Sequence, residues 1–315
     1  MPELNSFPTQ EKGRFYLSQG GTETEIMYKH GFDLPHFAVF PLLDNPAALS
    51  KLRDMFRSYL DVVAKYKMCA LMGGLDYRAS PDWGKLLGYS PKSLADANLQ
   101  AIAFLKEVAK EYISDIPKVM IQGLLGPRKD AYRLNETITV NEAEDYHSVQ
   151  LTTLKKANVD LALAITFNNI PEAIGAAKAA SKLNVPLAIS LTLDSNSKLI
   201  SGPSLAEAII RIDKETFQSP AFYLINCSHP VEYEPAIEPA EWMQRIRGVR
   251  PNASKMDKLA LYQIGHLEDG NPKELGTFCG DLAKRYPHMD IWGGCCGTWD
   301  KHLDAIAMNI LAAHK

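Results

Sequence analysis

Two cysteines stand side by side between glycines in IWGGCCGTW, residues 291 to 299, and a third, Cys227, follows Asn226 in YLINCSHP. Deprotonated thiols are nucleophiles and soft metal ligands, and three of them with a fourth position open form a donor set for catalytic zinc. Neighbouring residues of a strand point to opposite faces. Cys295 and Cys296 can therefore meet one ion only if the backbone leaves extended geometry, which Gly294 and Gly297 would permit. Spacing alone leaves two alternatives open, because no C-x-x-C signature is present: ordinary buried cysteines, or a redox-active adjacent pair. The five cysteines are an odd set, which argues against a disulfide framework. Cys69 and Cys279 read as small buried hydrophobes. A three-thiolate zinc with an open position suits alkyl transfer to sulfur, because a substrate thiol bound there would lose its proton at neutral pH yet keep its nucleophilicity.

Positioning such a trio requires strand ends that converge. Short apolar runs recur at Phe15 to Leu17, Met68 to Met72, Val119 to Leu124, Leu161 to Ile165, Leu187 to Leu193, Phe222 to Ile225, Leu259 to Ile264 and Met289 to Trp292. Segments of helical spacing lie between them, including 46 to 67, 93 to 112, 141 to 157, 171 to 183, 204 to 212, 239 to 247, 272 to 286 and 301 to 315. Pro46, Pro171, Pro239 and Pro272 each sit where a first helical turn would begin. Eight continuously apolar strands alternating with helices predict an α/β fold, a single (β/α)8 TIM barrel over residues 1–315 with no linker to divide it. Function in such a barrel belongs at the C-terminal strand ends. Those ends are expected at Gln19-Gly20-Gly21, Gly73-Gly74, Gln122-Gly123, Ile165-Thr166, Asn226-Cys227, Gln263 to Gly265 and Gly294-Cys295-Cys296.

The composition is that of a globular chain, 46% hydrophobic and 23% charged over 315 residues. A formal net charge of -3 supplies no basic field for nucleic acid. No apolar run approaches a membrane span and the first residues carry no leader pattern, so a cytoplasmic protein acting on small molecules is expected. The Tyr286 to His314 region offers an amphipathic contact for a homo-oligomer. GGTETE stands where a dinucleotide-binding glycine motif would follow the first strand.

LSQGGTETEIMYKHGFDLP near the start, GLLGP at 123 to 127, AFYLINCSHP at 221 to 230, RPNAS at 250 to 254 and IWGGCCGT at 291 to 298 together resemble the homocysteine S-methyltransferase family of zinc-dependent barrels. The resemblance implies zinc on Cys227, Cys295 and Cys296, and an in-line attack by the metal-bound thiolate on a methyl group. No other catalytic residue is needed. It further implies substrate contacts from Gln19, Gly20, Gly74, Thr166 and Asn226. The chain is too short for folate and cobalamin modules, so the expected donor is a small sulfonium or quaternary ammonium compound. A non-catalytic zinc- or thiol-binding relative is the alternative.

Two positions depart from the family pattern. Gln19 stands where the family has aspartate, and Ile165 where it has the glutamate that helps hold the amino group of homocysteine. A carboxylate ~4 Å from an ammonium contributes on the order of 4 kcal/mol at an effective dielectric near 20, before desolvation. Losing two favours a thiol without an α-amine, whose carboxylate could meet Arg78, Arg128 or Lys129. Glu23 and Glu25 are read as favouring a helix dipole, His147 as structural, and His229 as either structural or supporting the metal ligands from behind. Tyr77, Trp83 and Tyr89 are candidate aromatic walls for a cationic donor.

Overall fold

The computed structural model describes residues 7–133, 138–256 and 258–315. Of the N-terminal stretch read above for a leader pattern, residues 1–6 lie outside the described residues. Eight parallel strands close on themselves in sequence order. They are β1 (Tyr16–Ser18), β2 (Cys69–Met72), β3 (Val119–Leu125), β4 (Leu161–Phe167), β5 (Leu187–Leu191), β6 (Tyr223–Asn226), β7 (Ile246–Arg250) and β8 (Ile291–Trp292). Closure comes from β1 pairing with β8, Tyr16 opposite Ile291 and Leu17 opposite Trp292. The expected TIM barrel is therefore present.

The helices are α1 (Thr22–Tyr28), α2 (Pro46–Lys65), α3 (Pro81–Leu86), α4 (Pro91–Lys110), α5 (Val140–Lys156), α6 (Ile170–Leu183), α7 (Leu205–Thr216), α8 (Pro230–Tyr233), α9 (Lys258–Gln263), α10 (Pro272–Arg285) and α11 (Asp300–Ala313). Their starts are chemically marked. Ser90, Thr139 and Ser204 form capping boxes with Ser93, Glu142 and Glu207, and Asn45 caps α2 ahead of Pro46. Pro171 and Pro272 occupy first-turn positions as expected, whereas Pro239 precedes only a short 3-10 turn, Glu241–Arg245.

The strands divide their side chains between two cores. Tyr16, Leu71, Met120, Leu163, Leu224 and Ile291 pack together in the barrel interior. Leu17, Met72, Ile121, Ala164, Ile225 and Trp292 belong to the larger cluster shared with the surrounding helices. Alternation of Cβ direction along each strand produces this division, and burial of both faces explains why the strands read as unbroken apolar runs.

The seventh strand differs from expectation. The run Leu259 to Ile264 falls in α9 except for Ile264, just past its end, and β7 is the sequence IRGVR at Ile246–Arg250. Two arginines and a glycine disguised it. Arg247 is buried against Asp290, with Nε 2.8 Å from Oδ1, and donates to the carbonyl of Pro8. Gly248 lies so close to the carbonyl of Ile291 that no Cβ fits there. The strand is polar in composition, yet its charges are paired or directed at carbonyls inside the fold. Its C-terminal end, Arg250-Pro251-Asn252, replaces Gln263 to Gly265 in the ring of strand ends.

Candidate metal centre

The three cysteine sulfurs meet at the C-terminal mouth of the barrel, all within 4.8 Å of one another. Cys227 Sγ lies 2.7 Å from Cys295 Sγ and 3.5 Å from Cys296 Sγ. Among the described residues this is the one His, Cys, Asp or Glu cluster gathered tightly enough to hold an ion. Thiolates ~2.3 Å from a tetrahedral zinc stand roughly 3.8 Å apart, so the trio needs adjustments of about an ångström to take one. Cys69 and Cys279 are buried elsewhere in the fold, and all five cysteines are free.

Two backbone distortions bring the sulfurs together. Cys227, immediately after β6, has φ of 53°, and Gly297 has φ of 78°. A non-glycine residue there is uncommon, and strain of this kind persists where the surroundings over-determine it. Here Cys227 N–H donates to the Arg250 carbonyl, and Cys295 N–H to that of Pro251. Gly294 serves differently from the expectation. Its φ is not in the left-handed region, and the missing side chain instead leaves room for the Thr298 hydroxyl.

Three polar side chains surround the sulfurs. The Tyr132 hydroxyl donates to Cys227 Sγ at 2.9 Å. Asn226 Nδ2 points at Cys295 Sγ, 3.8 Å away, and donates to Thr166 Oγ1 at 2.9 Å. Its Oδ1 accepts from Thr166 N–H at 3.0 Å and Ser190 Oγ at 2.6 Å. Asn226 thus fastens the ends of β4, β5 and β6 beneath the trio, and holds Thr166 at a φ of 64°. Arg250 is buried, donating from Nε to the Gly294 carbonyl and from Nη2 to that of Gln19, while Nη1 has no partner. Desolvation lowers its pKa, opposed by the neighbouring Cys295, Glu23 and Cys227.

Electrostatics select one thiol. Cys295 is held well below the usual thiol range by the hydrogen bond from Cys227, by Cys296, and by Arg250 and Asn226. Cys227 and Cys296 are pushed up, each first by its contact within the trio. A dication would relieve this crowding. Three thiolates around it carry one net negative charge, which the Arg250 guanidinium balances. With no carboxylate or imidazole in the cluster, the donor set fits a thiophilic ion such as zinc.

The remaining expected site residues are placed as follows. Gln19 is buried behind the trio, its Oε1 accepting from Ser18 Oγ at 3.1 Å and Gly73 N–H at 3.3 Å. Gly20 abuts the Thr298 carbonyl, and Gly74, at φ of 105°, faces the Gln19 amide. Ile165 is packed in the barrel interior. Trp83 lines a cavity of about 390 Å3 whose wall also includes Cys296, Tyr132, Asn252, Arg78 and Phe37. Tyr89 packs on Phe40 instead, 5.0 Å between ring centroids, outside that cavity. Arg128 is bound to Asp82 at 2.8 Å and Lys129 is exposed. His147 pairs with Glu172 at 3.0 Å, in keeping with a structural role, and His229 caps α8.

Glu23 and Glu25 both lie in the first turn of α1, as expected, and Glu23 has a further set of neighbours. Its carboxylate interacts electrostatically with Cys295, Arg250 and Arg78, and burial pushes its pKa up to about 7. Glu25 pairs with Lys29 at 2.8 Å, whereas Glu23 has no ion pair among the described residues. The signal was its position two residues past Gly21, in a helix that opens at a strand end. Tyr132 and Arg250 also went unrecognised: one lies in a loop without periodicity, and the other was assigned to no strand.

A closed parallel barrel with convergent thiols at its C-terminal mouth defines a barrel enzyme whose chemistry runs on sulfur. The sequence profile of homocysteine S-methyltransferases matches residues 16–310. The chain belongs to the homocysteine S-methyltransferase family, and its activity is methyl transfer to a thiol of the homocysteine type. The fold is similar to that of the homocysteine methyltransferase MmuM from Escherichia coli. Its metallated form superposes with a TM-score of 0.71 at 17% identity, covering 95% of this chain and 96% of that one. The oxidized form gives 0.73 at 18% identity over the same shares of each chain. No curated protein sequence is significantly similar to the chain. Among the described residues no helix is long and apolar enough to cross a membrane.

Proposed function

We propose that Cys227, Cys295 and Cys296 hold one zinc ion and that the protein transfers a methyl group from a small sulfonium or quaternary ammonium donor to homocysteine. The convergence of the three sulfurs within 4.8 Å carries this reading. The metallated form of MmuM is in keeping with it. When bound, zinc would keep the acceptor sulfur deprotonated and nucleophilic at neutral pH.

The chain's own residues do the rest. Tyr132 and Asn226 direct hydrogens at Cys227 and Cys295, which fixes the ligand sulfurs and tempers their charge. Arg250 compensates the anionic centre from below. Gln19 and Thr166 hold the strand ends through their hydrogen bonds, while Gly20 and Gly74 keep the backbone close enough to leave a space for substrate. Glu23 supplies the carboxylate that Gln19 and Ile165 lack. An α-ammonium beside it would favour its charged form and give this half-buried carboxylate a counter-ion.

Replacing Cys227, Cys295 or Cys296 singly by serine tests the centre. Each variant is expected to lose bound zinc, measured by inductively coupled plasma mass spectrometry. Methyl transfer to homocysteine should fall by about 100-fold or more. Full activity in a variant without zinc would contradict the proposal.

A further inference from the structure

We propose that Arg78 anchors a substrate carboxylate inside the cavity that reaches Cys296; this rests on the thiol-transfer reading and names the substrate chemistry that the same site selects. Arg78 follows β2 in GGLDYRAS, is only 8% exposed, and lines the 390 Å3 cavity together with Cys296, Tyr132 and Asn252. Its guanidinium carbon lies 4.1 Å from the Trp83 ring centroid and 4.8 Å from that of Tyr77. Nη1 donates to the Lys129 carbonyl at 3.3 Å, and Nε is buried without any partner.

Five N–H donors are available and little of that capacity is used. Among the described residues no carboxylate lies within ion-pair distance, Glu23 included, although Glu23 interacts with it at longer range. Arg128 has no such vacancy, being bound to Asp82, and Lys129 is exposed. Of the three cations considered for a carboxylate, Arg78 is the one at the cavity without an ion pair among the described residues.

A desolvated guanidinium without a counter-ion is costly, and stacking on two aromatic rings offsets only part of that cost. Its planar fork is matched by a carboxylate accepting two parallel N–H bonds. A cavity with thiols on one wall and this cation on another therefore fits a small molecule bearing a carboxylate. The same chemistry is carried by a thiol acid acceptor such as homocysteine and by a carboxylated onium donor such as glycine betaine.

Isothermal titration of zinc-loaded wild-type, Arg78→Met and Arg78→Lys proteins distinguishes these sources. The acceptor pair is homocysteine against 3-aminopropane-1-thiol, and the donor pair is glycine betaine against tetramethylammonium. In at least one pair the Met variant is expected to bind the carboxylated member roughly 10- to 100-fold more weakly and its carboxylate-free partner unchanged. The affected pair identifies the substrate. The Lys variant, which keeps the charge and the fold, should lose part of that discrimination. A merely structural Arg78 would weaken both members alike. That result, no change in either pair, or no wild-type preference for either carboxylated ligand would overturn the proposal. Arg78-dependent binding without methyl transfer would instead sink the proposed function alone, and methyl transfer with unaltered discrimination would sink only the carboxylate anchor.

Discussion

At the scale of residues, chemistry was legible where types were rare and illegible where they were common. Adjacent cysteines between glycines have few uses, and Cys227, Cys295 and Cys296 do converge. The loss of two family carboxylates at Gln19 and Ile165 was also visible, and the proposed function has Glu23 offset it. A glutamate at a helix start ordinarily faces solvent and favours the dipole, whereas Glu23 is half-buried and interacts electrostatically with Cys295, Arg250 and Arg78. Glu23→Gln keeps the size and removes the charge. In competition assays it should weaken homocysteine roughly 10-fold or more while leaving 4-mercaptobutanoate, the same chain without the amine, nearly unaffected. Equal losses for both thiols would remove Glu23 as the ammonium partner.

At the scale of elements, hydrophobic runs and capping residues made seven strands and the long helices readable. The eighth, β7, failed because its interior charges are satisfied by distant partners: Arg247 by Asp290, and Arg250 by the carbonyls of Gly294 and Gln19. No local pattern encodes pairs so far apart in sequence. A related long-range fastening gives a pH dependence. Asp76, fully buried in the loop after β2, accepts from the Leu124 N–H with both oxygens at 3.0 Å. Burial nevertheless raises its pKa from 3.8 to about 7. The native state therefore holds a proton that the unfolded chain releases between these values, and stability conferred below pH 3.8 is lost as pH rises through about 7. Urea unfolding should show a decline approaching ~1.4 kcal/mol per pH unit at its steepest from this group. Asp76→Asn should flatten it, with Glu23→Gln as control for the other carboxylate raised to about 7. An unchanged slope in Asp76→Asn would show that Asp76 is ionised throughout.

At the scale of the whole molecule, the barrel turns eight separate strand ends into one chemical surface. Strands β6 and β8 are not hydrogen-bonded neighbours, since β7 lies between them, yet a closed ring lets Cys227 face the Cys295–Cys296 loop across its mouth. The same ring places β7 beneath the sulfurs, and so a cation, Arg250, within an otherwise anionic centre. The central claim is that this mouth binds zinc through three protein sulfurs and keeps a position for the acceptor thiol. Zinc K-edge X-ray absorption of the loaded protein, before and after homocysteine, measures that directly. Three sulfur neighbours rising to four on addition of homocysteine are expected. Fewer than three sulfurs at the start, or a count that homocysteine leaves unchanged, would contradict it.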